Sequence, residues 1–184
     1  NNPTGTTLPT AALHALAARH PETRFVVDES FVEFSDQEPL RARLEREPLP
    51  NVVVLASLSK SLGVPGIRLG YVYTSDAALL TALRARLPIW NINALAEYFL
   101  EIGLKFRDER AASFSKTAAD RDAFVRDLAA RPWTAWVHPS GANFLLVRLA
   151  PGGPQLDAAL MERHRIYIKD VTARTNALNT GETH

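Results

Sequence analysis

The sequence predicts an α/β fold, a sheet with helices on its faces, followed by a smaller α+β unit. Three observations carry this expectation. Short, very apolar runs at residues 25–27, 51–56 and 67–73 alternate with stretches whose apolar residues recur at helical spacing. The run Asn51-Val52-Val53-Val54-Leu55-Ala56 shows no polar alternation, so it reads as a strand buried on both faces. Beyond about residue 93 the pattern changes to a long helical stretch and then short strands, which sets a boundary within 88–101 and divides the chain into 1–92 and 93–184.

In order, residues 9–20 form a helix with Leu13, Leu16 and Ala17 on one face and Pro21 as its stop. Phe25-Val26-Val27 is a strand that delivers Asp28-Glu29. The strand 51–56 delivers the hydroxyl-rich turn Ser57-Leu58-Ser59-Lys60-Ser61, and 67–73 is a third strand. Residues 76–87 form a helix capped by Ser75 or Asp76 and ended by Pro88. From Asn93 a helical stretch runs towards Ala130, broken or unbroken near Arg107, with Leu95, Phe99, Ile102 and Phe106 expected as one buried stripe. Strands at 133–137 and 144–149 flank His138-Pro139-Ser140-Gly141; a helix at 155–164 precedes a last strand, Ile166-Tyr167-Ile168. Ligands of such sheets collect at the carboxyl ends of strands, where Asp28 and Lys60 both fall.

Composition excludes several classes. The 184 residues carry 21 basic and 20 acidic side chains, with no basic block, so no nucleic-acid partner is expected. Cysteine is absent, which removes disulfides and thiolate metal sites. No apolar run approaches the roughly 20 residues needed to span a bilayer, and no signal peptide is evident, so a soluble, cytoplasmic protein without a membrane partner is expected. His14, His20, His138 and His164 lack metal-ligand spacing and read as surface or turn residues; no metal site is expected. Ser59-Lys60-Ser61 lacks the glycines of a phosphate-binding P-loop, and Gly63, Gly66 and Gly70 do not match the dinucleotide fingerprint. Trp90, Trp133 and Trp136 are expected in the core or at a domain interface. The start, Asn1-Asn2-Pro3-Thr4-Gly5, is a turn sequence and the end, 179–184, is polar, so the chain is expected to be a piece of a longer polypeptide.

The chemistry concentrates around Lys60. An amine on a turn after a buried strand can form an imine, and Ser57 and Arg68 can grip a phosphate beside it. Asp28 at a neighbouring strand end could face a pyridine nitrogen, and the Asn2 amide could donate to a phenolic oxygen. An imine-forming lysine next to a phosphate grip is what pyridoxal 5'-phosphate requires of its protein. Each residue also has a plain reading: a surface lysine, a strand-end turn carboxylate, a turn-forming asparagine, a surface arginine. Against the last, Arg68 sits in an apolar run, where an unpaired guanidinium is costly.

Taken in order, Asn2-Pro3-Thr4-Gly5, Asp28-Glu29-Ser30-Phe31, Ser57-Leu58-Ser59-Lys60 and Arg68 resemble the fold-type I pyridoxal phosphate enzymes. Within them the chain resembles the class I/II aminotransferases, in the branch of histidinol-phosphate aminotransferase and threonine-phosphate decarboxylase. The resemblance extends to Ser140-Gly141-Ala142-Asn143-Phe144 and implies the later half of a large domain with a mainly parallel sheet, then a linking helix and a small domain. It implies that Lys60 carries the cofactor and shuttles the substrate's α-proton. It also implies that Asp28 pairs with the pyridine nitrogen, that Asn2 bonds the phenolic oxygen, and that Ser57 and Arg68 hold the phosphate. Phe31 stands where many aminotransferases carry a tyrosine touching the same oxygen, which favours the decarboxylase-like branch, as does Pro88-Ile89-Trp90-Asn91-Ile92-Asn93-Ala94. The family's phosphate loop, stacking aromatic ring and substrate-carboxylate arginine are not found in this sequence, and Arg174 lies too early for that last role. The implied activity is amino transfer between an amino acid or amino-phosphate and a keto acid, in a homodimer. The same-class alternative is decarboxylation of a phosphorylated amino acid, and the other-class alternative a folded piece that binds no cofactor. Relatives of this type also occur fused behind a nucleotidyltransferase domain.

Overall fold

Strand β2 (Val52–Ala56) is the centre of the larger sheet, flanked by β1 (Phe25–Asp28) and β3 (Tyr71–Thr74) in a computed structural model that describes residues 1–172. β1 runs parallel to β2, with Val27 opposite Val54 and Asp28 opposite Leu55, while β3 runs antiparallel, with Val72 opposite Leu55. The described part of the sheet is therefore mixed. Arg174 and the polar run 179–184 lie outside the described residues.

Side chains alternate across the pleat, and the two faces have different fates. Phe25, Val27, Val52, Val54 and Tyr73 point to one side. There they pack with Ala17 of α1 (Thr10–Arg19) and with Leu40 and Leu44 of α2 (Leu40–Arg46) into the main core. Val26, Leu55 and Val72 point to the other side and stay substantially exposed, so β2 is not dry on both faces as its composition suggests. A strand's composition records how apolar its two faces are but not what lies over each. Helix α4 (Ala77–Arg84) packs along β3 on this open side.

The remaining elements correct several expectations. The third strand starts at Tyr71 rather than residue 67: Pro65–Ile67 is a 3-10 turn, and Arg68 adopts a left-handed φ of 55°, which no strand accommodates. The helical stretch after Asn93 takes the broken form, with α5 (Ala94–Gly103) and α6 (Arg107–Ala129) parted just before Arg107. The expected stripe is only partly buried: Leu95 on α5 is 66% exposed and Phe106, which precedes α6, 51%, while Phe99 and Ile102 are half-buried. The residue α5 does bury is Ala96, in a second cluster with Ile67 and Leu69 against which Leu58, Phe99 and Leu100 pack. His14 is not a surface residue; it is buried on α1, its Nε2 3.0 Å from the Glu47 carbonyl. Trp90 is 89% exposed among the described residues and Trp136 is also exposed.

Strands β4 (Thr134–Val137) and β5 (Val147–Leu149) pair antiparallel as a separate two-stranded sheet, followed by α7 (Leu156–His164). Residues 166–168 form no strand; the chain leaves α7 through Arg165 in a left-handed conformation with φ 56°. Helix α6 packs against both β4 and the 3-10 turn Val32–Phe34 that follows β1.

Candidate active site

The carboxyl ends of β1 and β2 lie side by side, because their parallel register sets Asp28 opposite Leu55. Beyond that edge the chain turns through Ser30 on one strand and Ser57 on the other. Ser30 couples the two turns. Asp28 Oδ1 accepts from the Ser30 amide at 2.9 Å and from its hydroxyl at 2.6 Å, while Ser30 Oγ accepts from the Ser57 amide at 3.0 Å. This linkage holds the carboxylate against the Lys60 turn, and sequence reasoning passed over it; the Asp-x-Ser spacing of a turn was its one local signal.

Lys60 lies on α3 (Leu58–Ser61), a single helical turn with Ser57 at its N-cap position, and its side chain is exposed. Ser59, between the two, is buried and spent structurally. Its hydroxyl accepts from the Leu69 amide at 3.0 Å and donates to the Leu69 carbonyl at 3.3 Å, pinning the 62–68 loop to α3. Below the turn lies the cluster of Ile67, Leu69 and Ala96, so apolar packing supports Lys60 from one side and leaves its amine to solvent. Gly70 lets β3 leave this loop, because a Cβ there would lie 2.7 Å from the Ala56 carbonyl oxygen.

A cleft of about 580 Å³ opens here, with Asp28, Ser30, Ser57, Ser59, Arg68 and Gly70 on its rim and Leu80, Leu83 and Leu87 on its far wall. Three of the sequence-predicted residues, Asp28, Ser57 and Arg68, therefore line one cavity, with Lys60 on the turn between the last two. Arg68 needs no anion to offset burial: it is exposed, and its Nη1 donates to the Pro65 carbonyl at 3.2 Å. Phe31 and Asn2 lie on neighbouring loops and do not line the cleft. The Phe31 ring meets Phe144 edge-on at 5.1 Å. Asn2 sits in an exposed turn whose Gly5 carbonyl accepts from the Gly141 amide at 2.9 Å.

The lining fits pyridoxal phosphate in part, with a carboxylate for a pyridinium and a hydroxyl and a guanidinium for a phosphate around a cavity of cofactor size; the Lys60 amine, exposed on the adjoining turn, is not among the lining groups. Glu29, the next residue after Asp28, is turned into the core instead. Its carboxylate accepts from the amides of Leu40 at 2.5 Å and Arg41 at 3.5 Å, which caps α2 where Pro39 offers no side-chain acceptor. Burial pushes its pKa above the ordinary carboxylate value, with those two amides pulling the other way. Among the described residues no cluster of three or more metal-ligating side chains occurs, and no helix is long and apolar enough to cross a membrane.

Parallel strands that bring a lysine turn and an aspartate to one sheet edge define a cofactor-binding α/β architecture. Comparison with known proteins makes this specific: the family model for aminotransferase class I and II matches residues 1–178, and the chain belongs to that family. It is 40% identical over 95% of its length to CMP-5'-(3-aminopropyl)phosphonate synthase of Streptomyces rubellomurinus, covering 28% of that protein. It is 36% identical over 94% of its length to histidinol-phosphate aminotransferase 1 of Burkholderia lata, covering 46%. Among solved structures, L-threonine-O-3-phosphate decarboxylase from Porphyromonas gingivalis superposes with a TM-score of 0.80 at 28% identity, over 94% of this chain and 52% of that one. Histidinol-phosphate aminotransferase from Sinorhizobium meliloti, solved with pyridoxal-5'-phosphate, does so with a TM-score of 0.76 at 25% identity, over 91% and 46%. The described fold is thus part of the fold-type I architecture of these structures, and the chain spans about half the length of these relatives or less.

Proposed function

We propose that the protein to which these residues belong is a pyridoxal phosphate-dependent aminotransferase moving an amino group between an amino acid or amino-phosphate and a keto acid. The observation that carries this reading is the convergence of Asp28, Ser57 and Arg68 on one cleft beside the Lys60 turn. Bound there, the cofactor supplies an electron sink for the substrate's Cα. Asp28, held by the two Ser30 bonds, presents a fixed negative charge to a protonated ring nitrogen. Ser57 and Arg68 bind the phosphate, and Arg68 reaches it without first losing a buried partner. Lys60, solvent-facing on a packed turn, binds the cofactor covalently and moves the proton to and from Cα. Asn2 and Phe31 complete the cofactor's surroundings from the adjoining loops. Residues 1–92 serve as the cofactor-binding portion and 93–184 as the linking helices and small unit of a cytoplasmic homodimer, with no nucleic-acid or membrane partner.

A second reading, decarboxylation of a phosphorylated amino acid, is favoured by Phe31. A phenyl ring there cannot donate a hydrogen bond to the cofactor oxygen that a tyrosine would contact, and the likeness to the P. gingivalis decarboxylase points the same way. The intact protein, supplied with pyridoxal phosphate and either histidinol phosphate with 2-oxoglutarate or threonine phosphate alone, separates the two. Glutamate formation supports the first reading and carbon dioxide release the second. Neither product, with no shift of the cofactor's absorbance band on mixing, would leave the chain a folded module without the chemistry.

A further inference from the structure

Arg121 lies on α6, far in sequence from every candidate site residue, and its side chain is only 13% exposed. One of its nitrogens, Nη1, donates both to the Phe34 carbonyl at 2.9 Å and to the Ala142 carbonyl at 3.1 Å, while Nε donates to Asp122 at 2.9 Å. Phe34 ends the 3-10 turn that follows Asp28-Glu29-Ser30-Phe31, and its ring packs edge-on against Phe114 of the same helix at 5.3 Å. Ala142, itself buried, follows Gly141, whose amide holds Gly5 of the Asn2 turn, and precedes Phe144, which holds the Phe31 ring. A Cβ on Gly5 would lie 2.1 Å from Ser140 Oγ and one on Gly141 2.6 Å from Thr7, so these segments meet with no spare room.

We infer that Arg121 is a positioning residue: through the Phe34 and Ala142 carbonyls it locks the Phe31 loop and the Asn2 turn into one arrangement around the cofactor cleft. This rests on the function proposed above. Two carbonyls from segments over a hundred residues apart converge on one nearly buried cation, and each belongs to a segment that directly contacts a candidate cofactor-binding residue. A charge-assisted bond to a carbonyl in a shielded place is stronger than a neutral one, and losing the donor strands both acceptors. Asp122 balances the charge locally, so the guanidinium is free to act as a rigid tie rather than as a ligand.

The test uses the intact protein and two variants. Arg121→Met keeps the apolar stem and removes the donor; Arg121→Lys keeps a cation that can reach one carbonyl or both. Cofactor affinity, followed by visible absorbance as pyridoxal phosphate is titrated into cofactor-free protein, should weaken about tenfold or more in Arg121→Met and recover most of that loss in Arg121→Lys. In the cofactor-free state, amide exchange of Gly141 and Ser35 should quicken in Arg121→Met and return towards the wild-type rate in Arg121→Lys. Wild-type cofactor affinity in a folded Arg121→Met protein would overturn the inference and leave the proposed function standing, as would a loss of melting temperature in both variants without any change in cofactor titration. Failure of the wild-type protein itself to take up the cofactor would overturn the functional reading, and the inference with it.

Discussion

Asp28 and Glu29 are adjacent acids with opposite tasks, and the pleat decides which is which. Asp28 points to the open face and reaches the cleft; Glu29 turns inward, buried, and caps α2. Replacing each with alanine should therefore fail in different ways. Asp28→Ala should keep the fold and lower turnover of the intact enzyme by about 10²–10³, the loss typical of removing one electrostatic group from a reacting centre. Glu29→Ala strands the buried Leu40 amide and should cost about 1–3 kcal/mol in urea unfolding. Loss of stability from Asp28→Ala with unchanged turnover would reverse the assignment. The Glu29 carboxyl has a pKa raised above 4.5, its reference value, by burial. Folding is thus favoured by its protonated form: that contribution is complete below pH 4.5 and disappears as pH climbs through the folded value. Glu33, raised by the same cause, acts in the same direction. Melting temperatures recorded upward from pH 4.5 should fall less steeply in Glu29→Gln than in wild type, and parallel curves would show that this carboxyl is not the titrating group.

At the scale of elements, what holds the Lys60 turn in place is α5. Asn93 accepts from the Ala96 amide at 2.9 Å as the N-cap of that helix and donates to the Ile67 carbonyl at 3.1 Å, tying helix to loop. Asn93→Ala removes both bonds and should destabilise by about 1–2 kcal/mol. Asn93→Asp keeps the cap, loses the tie and should fall between wild type and alanine; a stability equal to alanine would show that the cap contributes nothing, and one equal to wild type that the tie contributes nothing. Most of this architecture is legible in the sequence where periodicity speaks. Strands β1 and β2 and helices α1 and α4 follow from apolar spacing and proline stops, and Asp76 caps α4 by accepting from the Leu79 amide, one of the two caps its sequence allows. The start of the third strand is not legible, because left-handed Arg68 sits inside an apolar run and β-like composition conceals a turn. Spacing shows that the stripe beginning on α5 is apolar but cannot say what lies opposite: Phe99 finds a partner cluster and Leu95 does not. The same holds at the site: Lys60, Asp28, Ser57 and Arg68 stand out by type and position. Ser30, Ser59 and Arg121 act through bonds to backbone groups of other segments, which no local pattern encodes.

For the molecule as a whole, the open face of the larger sheet matters most. Val26, Leu55 and Val72 lie exposed on it, and Leu87, Ile89 and Trp90 extend the apolar surface beyond α4. A net charge of +1 supplies little repulsion between copies. These 184 residues prepared alone should therefore associate as concentration rises and bind an apolar dye; a strict monomer that binds none would show that the face is covered in solution. If the proposed function holds, the cofactor attaches on the turn after β2. Borohydride reduction of the intact, cofactor-loaded protein, followed by proteolysis and peptide mass mapping, tests it most directly. The pyridoxyl group should be found on Lys60; a group on Lys105, Lys116 or Lys169 would overturn the assignment.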